Sequence, residues 1–299
     1  MTIKRWLKRA VDAVLRPVGL ELTRPAQDFD CRPTGHALSR MLGELADAFD
    51  AWSMETRIWP LTLEPDTGAA VARFYDGYLA SPFRDQAGGS RFNNLLWLHL
   101  LARVTRPSLV IDSGTYRGAS AWAFASAVPG CPVLSFDLDL GPLLVRTPGV
   151  TYLEHDWTKH DFKGHDLSRA VAYFDDHVDQ GLRLLQAADR GIGRLVFDDD
   201  FPITSFAAMA HDGSALPKIE FLLDGSLVDV SELTWISRGR ELRWPLDHGL
   251  MARLRRRIAA TERLPNTSLV TGVHQTPYRL VRTSRSGPSQ SAEPSAGGA

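Results

Sequence analysis

From residue 90 onward, short apolar runs alternate with longer stretches of helical periodicity. Leu109, Val110 and Ile111 form a buried-type β run, and an apolar helical stretch follows from Ala119 to Val128. Pro132 to Phe136, Val150 to Glu154, Ala170 to Phe174 and Leu195 to Phe197 read as further strands, with a helix from Asp179 to Arg190. Strands alternating with helices predict a parallel sheet covered on both faces, since each βα unit must bury an apolar face on its neighbours. The expected fold class is α/β, a Rossmann-like, doubly wound and mainly parallel sheet.

The chain before this rhythm is helical. Ile3, Trp6, Leu7, Ala10, Val11, Val14 and Leu15 recur at helical spacing among Lys4, Arg5, Lys8, Arg9 and Arg16, and Pro17 and Gly19 end the pattern. Such a basic amphipathic helix suits either packing on the domain or a partner subunit, or peripheral contact with an anionic membrane through residues 3–16. Residues 25–35 read as a linker. Helices are expected over 36–49 and 51–59 as one or two segments, over 66–79 with Asp66 as N-cap, and over 91–104 with Ser90 as cap. A basic helix is expected over 250–261. The Ser, Gly, Pro and Ala tail from Ser284 is expected to be disordered. The resulting division is a basic amphipathic helix (1–24), a helical cap region (25–89), an α/β domain (90–283) and a tail (284–299).

Composition narrows the function classes. The net charge of −1 over 299 residues leaves no basic footprint for a nucleic acid, beyond a small cluster from Arg253 to Arg257. Cys31 and Cys131 have neither metal nor redox spacing, which fits a reducing, cytoplasmic setting. No apolar run approaches the roughly 20 residues of a membrane span, and the N-terminus is a poor signal peptide. Oligomeric state is open, with a homo-oligomer one outcome.

The chemistry centres on Asp112-x-Gly114-x-x-x-Gly118-x-Ser120, where a strand turns through glycines into a helix. Glycines there let a ligand approach bare backbone, and the helix N-terminus adds a positive field. The spacing misses the three-glycine dinucleotide fingerprint, and an acid at the strand tip suits an amine-bearing ligand better than a pyrophosphate. This stretch resembles motif I of the class I S-adenosylmethionine-dependent methyltransferases, over roughly residues 90–282. The resemblance implies S-adenosylmethionine as cofactor, held by Asp112, Gly114, Gly118 and Ser120. It also implies a closing antiparallel hairpin, for which Ser268 to Val273 and Tyr278 to Arg282 are the candidates.

Acids recur at the ends of the later strands. Asp137 ends the second strand, where two carboxylate oxygens match the two ribose hydroxyls, with Asp139 in reserve. By analogy with the superfamily, Asp156 is expected near the adenine. Phe174-Asp-Asp-His177 and Phe197-Asp-Asp-Asp200 put two acid clusters at adjacent strand ends, where mutual repulsion calls for a hard cation such as Mg²⁺. The second cluster resembles that of the catechol, caffeoyl-CoA and macrocin-type metal-dependent O-methyltransferases. That likeness implies Asp175 or Asp176 as one ligand and Asp199 with Asp200 as the pair, Asp198 standing one residue early. The lysine that follows the fourth-strand acid in the first two groups is absent, since Val178 and Asp179 stand there. His177 is the expected general base, with Asp176 beside it and Asp179 less suited. As plain surface chemistry, Asp175, Asp176 and Asp198 would be caps and solvated acids.

His155 and His211 read as hydrogen-bonded surface groups, and Trp52, Trp59, Tyr75 and Tyr78 as core rather than acceptor-stacking residues. The resulting expectation is a methyltransferase acting on a hydroxyl of a small molecule or saccharide. Two alternatives remain: a metal-dependent nucleotide-sugar glycosyltransferase using Asp137-Leu-Asp139, and a non-catalytic cofactor-binding or membrane-peripheral scaffold.

Overall fold

A computed structural model describes residues 28–29, 31–85, 88–205, 214–237 and 239–284. The expected amphipathic helix over 3–16, His211 and nearly all of the tail lie outside them.

Among the described residues, three α-helices lead into the sheet. α1 (Gly35–Glu55) is one helix rather than two, burying Met41, Leu45, Phe49 and Trp52 along one face. It stops short of Trp59, which precedes Pro60 and is thereby biased away from helix. α2 (Thr67–Ala80) begins as expected, with the Asp66 carboxylate accepting from Ala69 N at 2.8 Å. α3 (Phe92–Thr105) is buried almost all round, as a helix apolar on every side must be. Ser90 does not cap it. Arg91 stands at the N-cap and does not cap the helix with its side chain, which donates to Asp28 instead, and the Ser90 hydroxyl is 3.1 Å from that of Tyr173.

The α/β portion then runs β1 (Val110–Ser113), α4 (Ala119–Ala127), β2 (Val133–Asp137), β3 (Val150–Glu154), β4 (Val171–Phe174), α5 (Gln180–Asp189) and β5 (Arg194–Phe197). It continues with α6 (Ile219–Leu223), a hairpin of β6 (Glu232–Ser237) and β7 (Arg240–Pro245), α7 (His248–Arg256), β8 (Ile258–Arg263), α8 (Ser268–Thr271) and β9 (Arg279–Thr283). The seven-stranded sheet has the order β3-β2-β1-β4-β5-β9-β8. β1 to β5 pair in parallel, whereas β9 is antiparallel to both β5 and β8. β6 and β7 form a separate two-stranded sheet.

Alternate residues of each strand point to opposite faces, and this divides the core in two. Val110, Val133, Val171, Tyr173 and Val196 pack with α1 to α4. Leu109, Ile111, Phe136, Phe174 and Phe197 pack instead with Leu184, Ile219 and Leu254 on the other face.

The closing hairpin exists, but its first strand is not the expected one. Residues 268–271 form the short helix α8, ended by Gly272 at φ +71°, and 258–263 supply the strand within the expected basic helix. Four arginines in 253–257 give that stretch a helical look, while the intermediate burial of Ile258 and Ala260 against the sheet edge decides the pairing. Strand order reverses between β1 and β4, the crevice where open α/β sheets bind ligands.

Candidate active site

A cavity of about 610 Å³ opens at the carboxyl ends of β1, β2, β4 and β5. Of the residues expected to bind cofactor, Gly114, Asp137 and Asp156 line it, and of the acid clusters Asp175, Asp176, His177, Asp198 and Asp199 do so. Asp112, Gly118, Ser120 and Asp200 do not.

Gly114 has φ +105°, and a Cβ there would lie 2.5 Å from the Asp175 carbonyl oxygen. Only glycine lets the loop after β1 pass so close to the end of β4. Gly118 serves packing at the start of α4: its φ is +89°, and a Cβ would meet Leu143 at 2.8 Å. Asp112 and Ser120 lie buried beneath this loop, the Ser135 hydroxyl donating to Asp112 Oδ2 at 2.5 Å. Burial pushes the Asp112 carboxyl up to about 7 against the pull of the Ser135 and Ser120 hydroxyls.

Asp137 sits at the tip of β2. Tyr116 N donates to its Oδ2 and Leu138 N to its Oδ1, each at 2.7 Å, so the carboxylate is fixed with lone pairs still open to the cavity. Asp139 turns back to accept from Gly141 N at 2.8 Å and does not line the cavity, so the two carboxylates of Asp137-Leu-Asp139 do not converge there.

Asp156 is engaged on both oxygens. Thr158 donates to Oδ1 through its amide at 2.8 Å and its hydroxyl at 2.5 Å, and Arg183 donates to Oδ2 at 2.7 Å. Burial raises the Asp156 carboxyl, but Arg183 and Thr158 outweigh it and hold the group down to about 2. The same guanidinium reaches Asp176 Oδ2 at 2.8 Å, where the Ser113 hydroxyl also donates at 2.6 Å. Arg183, which the sequence places only within the helix expected over 179–190, thus ties the end of β3 to the ends of β1 and β4.

The acids at β4 and β5 separate into distinct roles. Asp175, His177 and Asp199 each present one ligand atom within 4.8 Å of the others. His177 Nδ1 is 3.9 Å from Asp199 Oδ2, and both residues have positive φ (53° and 55°). Such backbone outliers recur at binding sites, where surrounding structure holds them. Burial and the nearby Asp198, Asp199 and Asp112 drive the Asp175 carboxyl well above the usual range. Asp198 is satisfied within the fold by the Tyr173 hydroxyl at 2.9 Å, the Thr276 hydroxyl and its own neighbour's amide, Asp199 N. Its carboxyl rises to about 7 through burial and Asp199. Asp200 points away: fully buried, it accepts from Arg279 Nε and Glu220 N, each at 2.8 Å. Asp175 and Asp199, not Asp199 and Asp200, are therefore the carboxylates brought together with His177.

Asp179 caps α5 through Leu182 N at 2.9 Å and lies off the cavity wall. His155 lines the cavity, its ring stacked on that of His160 with centroids 5.9 Å apart. Trp52, Trp59, Tyr75 and Tyr78 are core residues, as expected. Ser90, Asn94, His274 and Thr276 complete the wall with polar groups. Two of these come from the link between α8 and β9, where no sequence pattern marked a site.

No family model and no curated protein matches the sequence. Among solved structures, the chain is similar to the O-methyltransferase TomG of Streptomyces achromogenes, described in complex with SAM and as involved in tomaymycin synthesis. The identity is 14% and the TM-score 0.38, over 95% of this chain and 99% of that one. An O-methyltransferase of Bacillus cereus in complex with SAH matches at 11% identity and TM-score 0.34, over 92% and 97% of the two chains. A methyltransferase of Geobacter sulfurreducens matches at 17% and 0.35, over 80% and 96%. All three scores lie below 0.5, and no activity is transferred from them.

Proposed function

We propose that this chain is an S-adenosylmethionine-dependent O-methyltransferase acting on a hydroxyl of a small-molecule or saccharide acceptor. The observation that carries the reading is Asp137, a carboxylate fixed by the backbone amides of Tyr116, Leu138 and Asp139 on the cavity wall at the tip of β2, beside a glycine loop that no side chain could replace. That pairing suits a ribose diol next to a group needing close backbone approach. S-adenosylmethionine, when bound, supplies an electrophilic methyl group. The protein's part is to hold the acceptor oxygen in line with it.

Polar side chains on the remaining wall, Ser90, Asn94, His274 and Thr276, favour a hydroxylated acceptor. His177 is the residue we assign to receive the hydroxyl proton, because its ring is exposed at the cavity and Asp199 stands beside it. Asp176, engaged by Ser113 and Arg183, orients the loop instead. The two carboxylates grouped with His177, Asp175 and Asp199, fit a hard divalent cation such as Mg²⁺, which leaves the His177 imidazole to take the proton. When bound, the cation would lower the pKa of a hydroxyl it holds. Free Cys31 and Cys131 support a reducing, cytoplasmic setting. Among the described residues no helix is long and apolar enough to cross a membrane.

The test is calorimetric titration of S-adenosylhomocysteine, with and without Mg²⁺, into wild type and Asp137→Ala. Micromolar binding that the substitution weakens at least about tenfold, the scale of lost charge-assisted hydrogen bonds, supports the reading. Absence of binding to wild type rejects it.

A further inference from the structure

The Asp175, His177 and Asp199 group also borders a second space of about 10 Å³, room for about one water. Its walls include Asp175, Asp198, Asp199 and Gln180, and also Lys218, which belongs to the stretch between β5 and α6. Lys218 is 4% exposed. Gln180 fixes its surroundings, donating to Asp198 O at 2.8 Å and accepting from Ile219 N at 2.9 Å. Among the described residues, the Lys218 ammonium makes no direct hydrogen bond or ion pair, and it borders the small space.

An ammonium on an almost fully buried lysine, without a direct partner, is costly and persists only in a compensating field. Here burial pulls its pKa down, while Asp199, Asp200, Asp198 and Asp175 act in the other direction. Two of these acids are already answered, Asp200 by Arg279 and Asp198 by the Tyr173 and Thr276 hydroxyls. Asp199 remains, with Asp175, which Tyr173 also reaches, and these are the same two carboxylates that stand together with His177.

We propose that Lys218 is the built-in counter-ion of the Asp175, His177 and Asp199 group, a positioning residue that opposes a divalent cation there and keeps its binding weak and exchangeable. The small cavity lets one water bridge the ammonium to the carboxylates. A fixed positive charge beside a partly desolvated cation site repels the incoming ion with little solvent screening. The inference rests on that group being a cation site and is independent of methyl transfer.

The experiment measures free Mn²⁺ by electron paramagnetic resonance during titration of the full chain, as wild type, Lys218→Met and Lys218→Gln. Both substitutions remove the charge, and the second keeps a polar head should the first fail to fold. The expected result is Mn²⁺ binding at least about tenfold tighter in the folded variants than in wild type. Equal affinity overturns the proposal, and so does the absence of Mn²⁺ binding from every protein at millimolar Mn²⁺. S-adenosylhomocysteine titrated into the same samples separates the two readings. Retained binding confines a negative Mn²⁺ result to the cation site, whereas lost binding in wild type rejects the methyltransferase assignment.

Discussion

The α-carbon of Gly114 faces the backbone carbonyl of Asp175 so closely that a methyl group would stand 2.5 Å from its oxygen. This approach joins the loop after β1 to the end of β4 and brings Asp175 to the cavity. Gly114→Ala must therefore strain a φ of +105° and displace backbone rather than a side chain. Its expected cost is about 3 kcal/mol or more, read by urea denaturation, together with loss of S-adenosylhomocysteine binding. Wild-type stability and affinity would show that the two backbones are not in contact.

Arg183 is 4% exposed and neutralises Asp156 and Asp176 at once. Arg183→Met leaves both carboxylates without their cation, at an expected cost of about 3 kcal/mol near neutral pH. The Asp156 carboxyl is held low in the folded protein, so its contribution is present above the unfolded value of 3.8 and is lost as pH falls through about 2. The difference between wild type and variant should therefore narrow in acid. A pH series of denaturation curves checks this.

His99 is buried beneath α4, its Nδ1 3.1 Å from the Ser126 hydroxyl, and burial lowers its pKa to about 4. The unfolded chain then binds a proton more readily than the folded one. Stability should be level above pH 6.5 and fall by about 3 kcal/mol as pH drops from 6.5 to 4. His99→Gln should remove that slope while leaving other acid-dependent losses in place.

Asp112 has the opposite sign. Its folded pKa of about 7 exceeds the unfolded 3.8, so its contribution is full below 3.8 and is lost as pH rises through 7. Asp112→Asn retains an acceptor for Ser135 and should raise stability at pH 8 by roughly 2–4 kcal/mol relative to pH 4. Thermal melts at the two pH values decide it.

The short apolar runs and helical patterns of residues 109–197 determined by themselves that the chain would form a parallel α/β sheet. Those patterns reflect local geometry, and each strand carries its own burial signature. Acids at the strand tips were legible too, because a parallel sheet sends all such tips to one edge. Which of them share a point was decided only in three dimensions. Asp200 and Asp199 are adjacent in sequence, yet Arg279 from β9 takes Asp200 into the core while the positive φ of Asp199 turns toward His177. Asp156 is held by Arg183 of α5, a partner 27 positions away that no local pattern marks. The closing strand and Lys218 were hidden for the same reason. Their partners lie far along the chain, as when Glu262 of β8 accepts from Trp52 and Thr56 around α1, and a pairing between distant segments leaves no periodicity in either one.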